Sequence, residues 1–196
     1  MFLTQSTHTT LVQQATGLRS SLLAKVLLAF VGSLALWASA KVSIPFYPVP
    51  MTMQTFVVLV TGMTYGWKLG GATVLLYLTE GALGLPVFSG TPERAIGLAY
   101  MIGPTGGYLA GFLVSAVTVG WLAERGWDRN VLKSLAAMTI GTSLIFLCGL
   151  AWLGTLSGWD KSILTLGLTP FIFGAILKIA LAAVSLPLGW KILKRR

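Results

Sequence analysis

The sequence has few of the residues from which proteins build metal centres and disulfides. Its 196 residues include one cysteine, Cys148, and one histidine, His8. A single cysteine cannot form an intrachain disulfide, and metal sites of the His and Cys type need three or four convergent ligands. Intrachain disulfides and His/Cys metal clusters are therefore excluded.

Charged residues are also scarce. Only 10% of the chain is charged, with 14 Lys and Arg against 5 Asp and Glu, whereas a soluble domain carries about 25%. Hydrophobic residues make up 55% and the mean hydropathy is +0.82. These values predict a multi-pass protein of the cell membrane, surrounded by lipid. The net charge of +9 does not indicate nucleic-acid binding, because the basic residues are scattered and not gathered on one polar face.

The apolar runs predict an all-α membrane protein with six transmembrane helices, since a spanning helix needs about 20 predominantly apolar residues. The predicted spans are residues 21–40, 53–66, 69–85, 103–122, 131–153 and 170–193. Between the first two, Pro45, Pro48 and Pro50 predict a structured external loop. Residues 1–20 are polar and are expected to form a loose cytoplasmic segment before a single six-helix domain, residues 21–196.

Both termini are predicted to be cytoplasmic. In this orientation most Lys and Arg residues lie on the inner side, as the positive-inside rule favours. A cleaved signal peptide is the alternative for the first span, because basic residues precede an apolar stretch that ends Ala38-Ser39-Ala40. Cleavage would leave an odd number of spans and would move the basic C terminus outside. A retained helix is therefore favoured.

Two charged residues fall inside predicted spans. An ammonium such as that of Lys178 costs roughly 3 kcal/mol near the middle of a membrane helix, so it must face the bundle interior. It is either a ligand contact or one half of a structural ion pair with Glu80, which lies at a similar predicted depth. Thr52 and Gln54 add uncharged hydrogen-bonding groups near the outer side. Arg94 is either a two-pronged carboxylate partner or a solvated loop charge.

Small residues recur at intervals of four in two spans, a spacing that lets membrane helices approach closely. In the fourth span they predict tight packing inside the bundle, at Gly103, Gly107, Gly111 and Ser115. In the first span they suggest a face that docks another membrane subunit, formed by Ala29, Ser33, Ala35 and Ser39.

Motifs for enzyme chemistry are missing from the sequence. It contains no G-x-x-x-x-G-K-[ST] nucleotide-binding loop, no H-E-x-x-H zinc motif and no G-x-S-x-G nucleophile elbow. The chain is expected to be neither an enzyme nor an ATPase, and no cofactor is implied.

Three segments, residues 48–55, 77–88 and 103–112, resemble the BioY family, the biotin-binding S components of energy-coupling factor (ECF) transporters. The specific strings are Pro48-Val49-Pro50 with Gln54, and Gly103-Pro104-Thr105-Gly106-Gly107-Tyr108. The resemblance implies six helices and capture of biotin from outside. It also implies a transmembrane T subunit and two ATPases as partners, in keeping with the missing nucleotide-binding loop.

The resemblance also implies ligand-binding residues. Tyr77 and Tyr108 lie in two of the matching segments and are expected at the ligand site. In the family the sixth helix typically begins Pro-Phe…Gly-Asp-x-x-Lys, where the Asp and Lys help to hold the ligand. Lys178 matches the Lys, but Ala175 replaces the Asp. One hypothesis is that Glu80 supplies the missing acceptor from the third span.

A biotin-binding transporter subunit is the leading expectation. The alternative is a secondary, proton-coupled transporter of a small carboxylated solute, with Glu80 as its proton site. The sequence leaves open whether the chain transports biotin without its partners or as a homo-oligomer.

Overall fold

A computed structural model describes residues 10–16, 21–93, 95–160 and 162–194 of the chain. The helices are α1 Leu11–Thr16, α2 Leu22–Lys41, α3 Gln54–Ala82, α4 Leu98–Met101, α5 Gly106–Glu124, α6 Val131–Ser157, α7 Ser162–Gly167 and α8 Thr169–Lys194, with a 3-10 turn at Trp127–Arg129. Two short strands, β1 Ser43–Ile44 and β2 Met51–Thr52, pair antiparallel, with Ser43 opposite Thr52. The ladder joins the two ends of the loop that holds the predicted proline cluster.

Helices α2, α5, α6 and the segment Ser162–Leu193 are long and apolar enough to cross a membrane. This finding confirms a helical, multi-pass membrane protein. The number of six crossings and the side on which the termini lie stay predictions.

Helix α3 corresponds to the predicted second and third spans, because it folds back on itself at Gly66 (φ 82°, ψ 173°). The two arms, residues 54–65 and 67–82, run side by side. A Cβ on Gly70 would lie 3.0 Å from Gly62 Cα, and Gln54 Nε2 lies 2.6 Å from the Tyr77 hydroxyl. A straight helix would separate residues 54 and 77 by about 34 Å. Only glycine adopts the required backbone angles readily.

Glycines set the distance between α5 and its neighbours. A Cβ on Gly107 would meet Trp152 Cβ of α6 at 2.2 Å, and a Cβ on Gly111 would meet Ile145 Cα at 2.9 Å. On the other side of α5, Gly120 lies against the backbone at Trp67. The predicted tight packing of the fourth span is confirmed at Gly107 and Gly111, and it places α5 between α3 and α6.

The expectation of a loose N-terminal segment is wrong for the part that the structure describes. Thr10 is only 1% exposed, and Leu11 Cδ1 lies 3.0 Å from the position of a Cβ on Gly189 of α8. Helix α1 therefore packs against α8 at the same end of the bundle as Gly66. A search for long apolar runs misses such a helix because it has only 6 residues. Residues 1–9 and 17–20, which include His8, lie outside the described residues.

The expected docking face on the first span is also wrong. Ala29, Ser33 and Ser39 are buried within the chain, and of the four residues only Ala35 is exposed. The cause is the close approach of α3, since a Cβ on Gly32 would lie 2.5 Å from Thr73 Cγ2. The small residues of α2 therefore pack against α3 of the same chain and not against another subunit. Its exposed face carries large apolar side chains, namely Leu22, Leu23, Val26, Leu27, Phe30, Val31 and Leu34.

Candidate ligand-binding site

A cavity lies at the end of the bundle opposite Gly66, among the first arm of α3, α5, α6 and α8. The loop before α3 and the loop after it contribute Val49, Pro50, Phe88 and Ser89 to the wall. Most lining side chains are apolar or aromatic. Apart from two tyrosines, the polar lining residues are Thr52, Gln54, Thr55, Ser89, Thr105, Thr142 and Lys178. Lys178 is the sole cation among the described residues of the wall.

The half-buried Lys178 reaches from α8 to the start of α3. Its ammonium donates a hydrogen bond to the Thr52 carbonyl oxygen and another to Thr55 Oγ1 at 3.3 Å. Ala175 lies one helical turn before Lys178 and also lines the cavity. The Lys and the Ala that replaces the family's Asp therefore share the cavity face of α8, as residues three apart on a helix do.

Gln54 is held in place by a chain of hydrogen bonds. Thr52 Oγ1 donates to Gln54 Oε1 at 3.2 Å, and Gln54 Nε2 donates to the Tyr77 hydroxyl at 2.6 Å. The Tyr77 hydroxyl in turn donates to the Val87 carbonyl oxygen at 3.0 Å. The fully buried Tyr77 does not line the cavity. It orients Gln54 and ties the second arm of α3 to the loop that covers the cavity.

Aromatic side chains form much of the wall. Phe88 stacks on Tyr100 with ring centroids 5.0 Å apart, and the Tyr100 hydroxyl donates to the Ser89 carbonyl oxygen at 2.7 Å. Tyr108 contacts Phe171 at 6.5 Å between centroids, while its hydroxyl donates to the Gly167 carbonyl oxygen at 2.7 Å. Both tyrosines therefore present their rings to the cavity and satisfy their hydroxyls elsewhere.

Lys41, at the end of α2, holds the covering loop. Its ammonium donates to the Pro86 carbonyl oxygen at 2.9 Å and to the Phe88 carbonyl oxygen at 3.1 Å. A third hydrogen bond goes to Thr91 Oγ1 at 3.4 Å. These contacts fix the backbone on both sides of Val87 and so position Phe88 over the cavity.

Two hydroxyls in the cavity wall lack partners. Ser89 is 3% exposed and Thr142 is 7% exposed. Neither Oγ of Ser89 nor Oγ1 of Thr142 has a hydrogen-bond partner within the described part of the chain. Buried polar groups are usually satisfied, so these two hydroxyls are the candidates in the wall for a further polar contact. Sequence reasoning missed both, because an isolated Ser or Thr in an apolar stretch carries no distinctive pattern.

The structure brings together only part of the predicted site. Thr52, Gln54, Tyr108 and Lys178 line the cavity, whereas Tyr77 supports it from behind. Arg94 lies outside the described residues.

Glu80 is not among the residues that line the cavity, and the contacts of the described residues favour neither the alternative of an ion pair with Lys178 nor the hypothesis that Glu80 is the missing acceptor. Its carboxylate accepts a hydrogen bond from Ser33 Oγ of α2. The similar depth of Glu80 and Lys178 was not sufficient to bring them together, because the second arm of α3 turns Glu80 toward α2 and away from α8.

Comparison with known proteins assigns the chain to a family. The sequence profile of the BioY family matches residues 8–195. The chain belongs to the BioY family. A probable biotin transporter BioY from Pyrococcus horikoshii is 37% identical over 145 residues, covering 74% of this chain and 83% of the relative. The biotin transporter BioY of Thermotoga maritima is 34% identical over 145 residues, with the same two coverages of 74% and 83%.

A solved structure shares the fold of this BioY chain. It is a crystal structure of the S-component for biotin from an ECF-type ABC transporter. The TM-score is 0.72 at 23% sequence identity, and the match covers 86% of this chain and 92% of the other. The family profile and the two relatives confirm the family that residues 48–55, 77–88 and 103–112 suggested.

Proposed function

We propose that this BioY chain captures biotin in the cavity, as the substrate-binding membrane subunit of an ECF-type transporter. The observation that carries the proposal is the composition of the wall, in which aromatic rings surround one cation, Lys178, and one oriented amide, Gln54. Biotin combines a carboxylate, a ureido group and an apolar ring with an aliphatic chain. A mostly apolar cavity with a few placed polar groups is typical of such ligands.

Lys178 is the proposed partner of the biotin carboxylate. A buried carboxylate needs a cation or several hydrogen bonds, and Lys178 is the sole cation that the described wall offers. Its ammonium is already held by hydrogen bonds to Thr52 and Thr55. Little side-chain conformational entropy is therefore lost when the ligand binds. Gln54, with its amide fixed by Tyr77, is proposed as a neutral contact near the same end of the cavity.

Proposed partners supply the energy for transport, because the sequence has no nucleotide-binding loop of its own. We propose a transmembrane T subunit and two ATPases, with biotin as the transported ligand and no enzymatic activity in this chain. The proposed orientation has six spans, with the Gly66 end of the bundle in the cytoplasm. Lys25, Lys68, Arg125 and Lys133 belong to helix ends or turns on that side, which agrees with the positive-inside rule.

Biotin titration of the purified chain tests the proposal. We expect Lys178→Met to weaken biotin binding by about 10- to 100-fold, because a desolvated charge-assisted hydrogen bond is worth about 1.5–3 kcal/mol. The matched control is Lys191→Met, which removes an exposed lysine from the same helix and should leave the affinity unchanged. No biotin binding by the parent chain, or an equal effect of both variants, would contradict the proposal.

Uptake measurements separate the two kinds of transporter. In cells that lack other biotin uptake, we expect ATP-dependent accumulation only when the T subunit and the ATPases are co-expressed. A proton-coupled transporter would accumulate its solute without them and would lose activity in Glu80→Gln. Because Glu80 contacts Ser33 and not the cavity, we expect Glu80→Gln to bind biotin with unchanged affinity.

A further inference from the structure

Thr142 lies at the deep end of the cavity. Along the α5–α6 contact, Gly111 faces Ile145, and Gly141 faces Ser115, with 2.8 Å between the position of a Cβ on Gly141 and Ser115 Oγ. Thr142 is therefore one helical turn further from the covering loops than Ile145 and Phe146, which line the same wall. This deep end of the cavity, its floor, is lined by apolar side chains such as Leu59 and Phe112, and Ser115 Oγ lies beside the neighbouring Gly141.

The Thr142 hydroxyl differs from the hydroxyls of five other helical threonines among the described residues. Ordinarily a threonine in a membrane helix donates to the carbonyl oxygen four residues earlier. Five threonines do so here, at 2.7 to 2.9 Å, namely Thr64, Thr73, Thr79, Thr118 and Thr139. The Thr142 hydroxyl makes no such bond, is buried and has no partner in the described part of the chain. Thr142 is one of the residues that line the cavity, so a donor without a partner lies in the cavity wall.

Charge decides which end of the ligand reaches this floor. The one cation of the described wall, Lys178, has its ammonium at Thr52 and Thr55, where α3 begins. A carboxylate at the floor would lie away from this cation among Leu59, Phe112 and other apolar side chains, and burying an unpaired charge is costly. The uncharged end of the ligand is the one that fits beside Thr142.

We propose that Thr142 is a specificity-determining residue whose hydroxyl donates a hydrogen bond to the ureido oxygen of biotin at the floor of the cavity. This inference rests on the proposed function and adds to it the orientation of the ligand. The carboxylate lies toward Lys178 and the covering loops, and the ureido group points into the bundle. A ligand without a good acceptor at that end leaves the Thr142 donor unsatisfied and is selected against.

Thr142→Val tests the contact, because valine keeps the shape and removes the hydroxyl. We expect biotin affinity to fall about tenfold, the equivalent of one lost hydrogen bond, and Thr142→Ser to retain most of the affinity. The control is Thr139→Val on the same helix, where the lost hydroxyl is exposed and bonded to its own helix at Leu135. An unchanged affinity in Thr142→Val, or an equal loss in Thr139→Val, would overturn the inference.

Two biotin analogues test the orientation on the same purified variants. With biotin methyl ester, which lacks the charged carboxylate, Thr142→Val should lose about the same tenfold factor. With 2-thiobiotin, in which sulfur, a weak acceptor, replaces the ureido oxygen, the loss should be much smaller. A loss that disappears with the ester, or that is equal for all three ligands, would overturn the inference. If Thr142→Val does not fold, the ratio of parent to variant affinity is measured for each of the three ligands with Thr142→Ala. Failure of the parent chain to bind biotin would instead refute the proposed function.

Discussion

Asp128 provides a test of the energetics at the end of the bundle opposite the cavity. It lies in the 3-10 turn between α5 and α6 and is 0% exposed. Its Oδ2 accepts a hydrogen bond from Trp190 Nε1 of α8 at 2.5 Å, while Oδ1 has no partner among the described residues. Burial raises the pKa of Asp128 to about 6, because the Trp190 hydrogen bond and the charge of Arg129 offset the desolvation only in part.

The raised pKa of Asp128 determines the sign and the size of its contribution to the free energy of unfolding. Between pH 3.8, the ordinary value, and about 6 the native state binds more protons at Asp128 than the unfolded state does. The free energy of unfolding therefore falls as the pH rises through this window. A difference of about two pKa units corresponds to about 3 kcal/mol at neutral pH, at 1.36 kcal/mol per unit.

Asp128→Asn removes the charge and keeps an oxygen that can accept from Trp190. We expect the variant to be more stable than the parent chain at pH 7 by up to about 3 kcal/mol, or roughly 6–12 °C in Tm for a chain of this size. The advantage should decrease as the pH falls through 6 and should vanish near pH 4. Thermal unfolding in detergent, followed by circular dichroism from pH 4 to 8, measures the difference. A variant that gains nothing at pH 7, or a gain independent of pH, would refute the reasoning.

Two further variants test the cavity and the packing beside it. Ala175→Asp places a carboxylate one turn from Lys178 on the cavity face of α8. We expect biotin binding to weaken by about 10-fold or more, because the new carboxylate would pair with Lys178 and repel the biotin carboxylate that is proposed to lie there. Gly111→Val adds a side chain where a Cβ alone would lie 2.9 Å from Ile145 Cα, and it should lower the Tm in detergent by several degrees, because overpacking costs about 1–3 kcal/mol.

Each of these two predictions has its own control. Unchanged or tighter biotin binding by Ala175→Asp in an isothermal titration would contradict the placement of the biotin carboxylate at Lys178. For Gly111→Val the control is Ala110→Val, which changes the preceding, exposed residue of α5. Equal Tm values for the two valine variants would contradict the packing argument.

The sequence by itself determined the class of protein and most of the helix positions. Its shortage of charge predicted a membrane protein, and the spans predicted at residues 21–40, 103–122 and 170–193 appear as Leu22–Lys41, Gly106–Glu124 and Thr169–Lys194. Long apolar runs can be located from sequence because the thickness of the membrane fixes their length. The interior position of Lys178 also followed from sequence, since an ammonium among apolar residues has to avoid lipid.

The tertiary structure alone decided which side of each helix faces the cavity. The depth of a residue in the membrane can be counted along its helix at 1.5 Å per residue. By that count Glu80 and Lys178 lie at similar depths. Rotation about the helix axis depends on which neighbours pack closely, and here the fold at Gly66 and the contact between α2 and α3 turned Glu80 toward Ser33. The same packing buried the small residues of α2. It also placed Thr142, an isolated threonine in an apolar run, at the floor of the cavity.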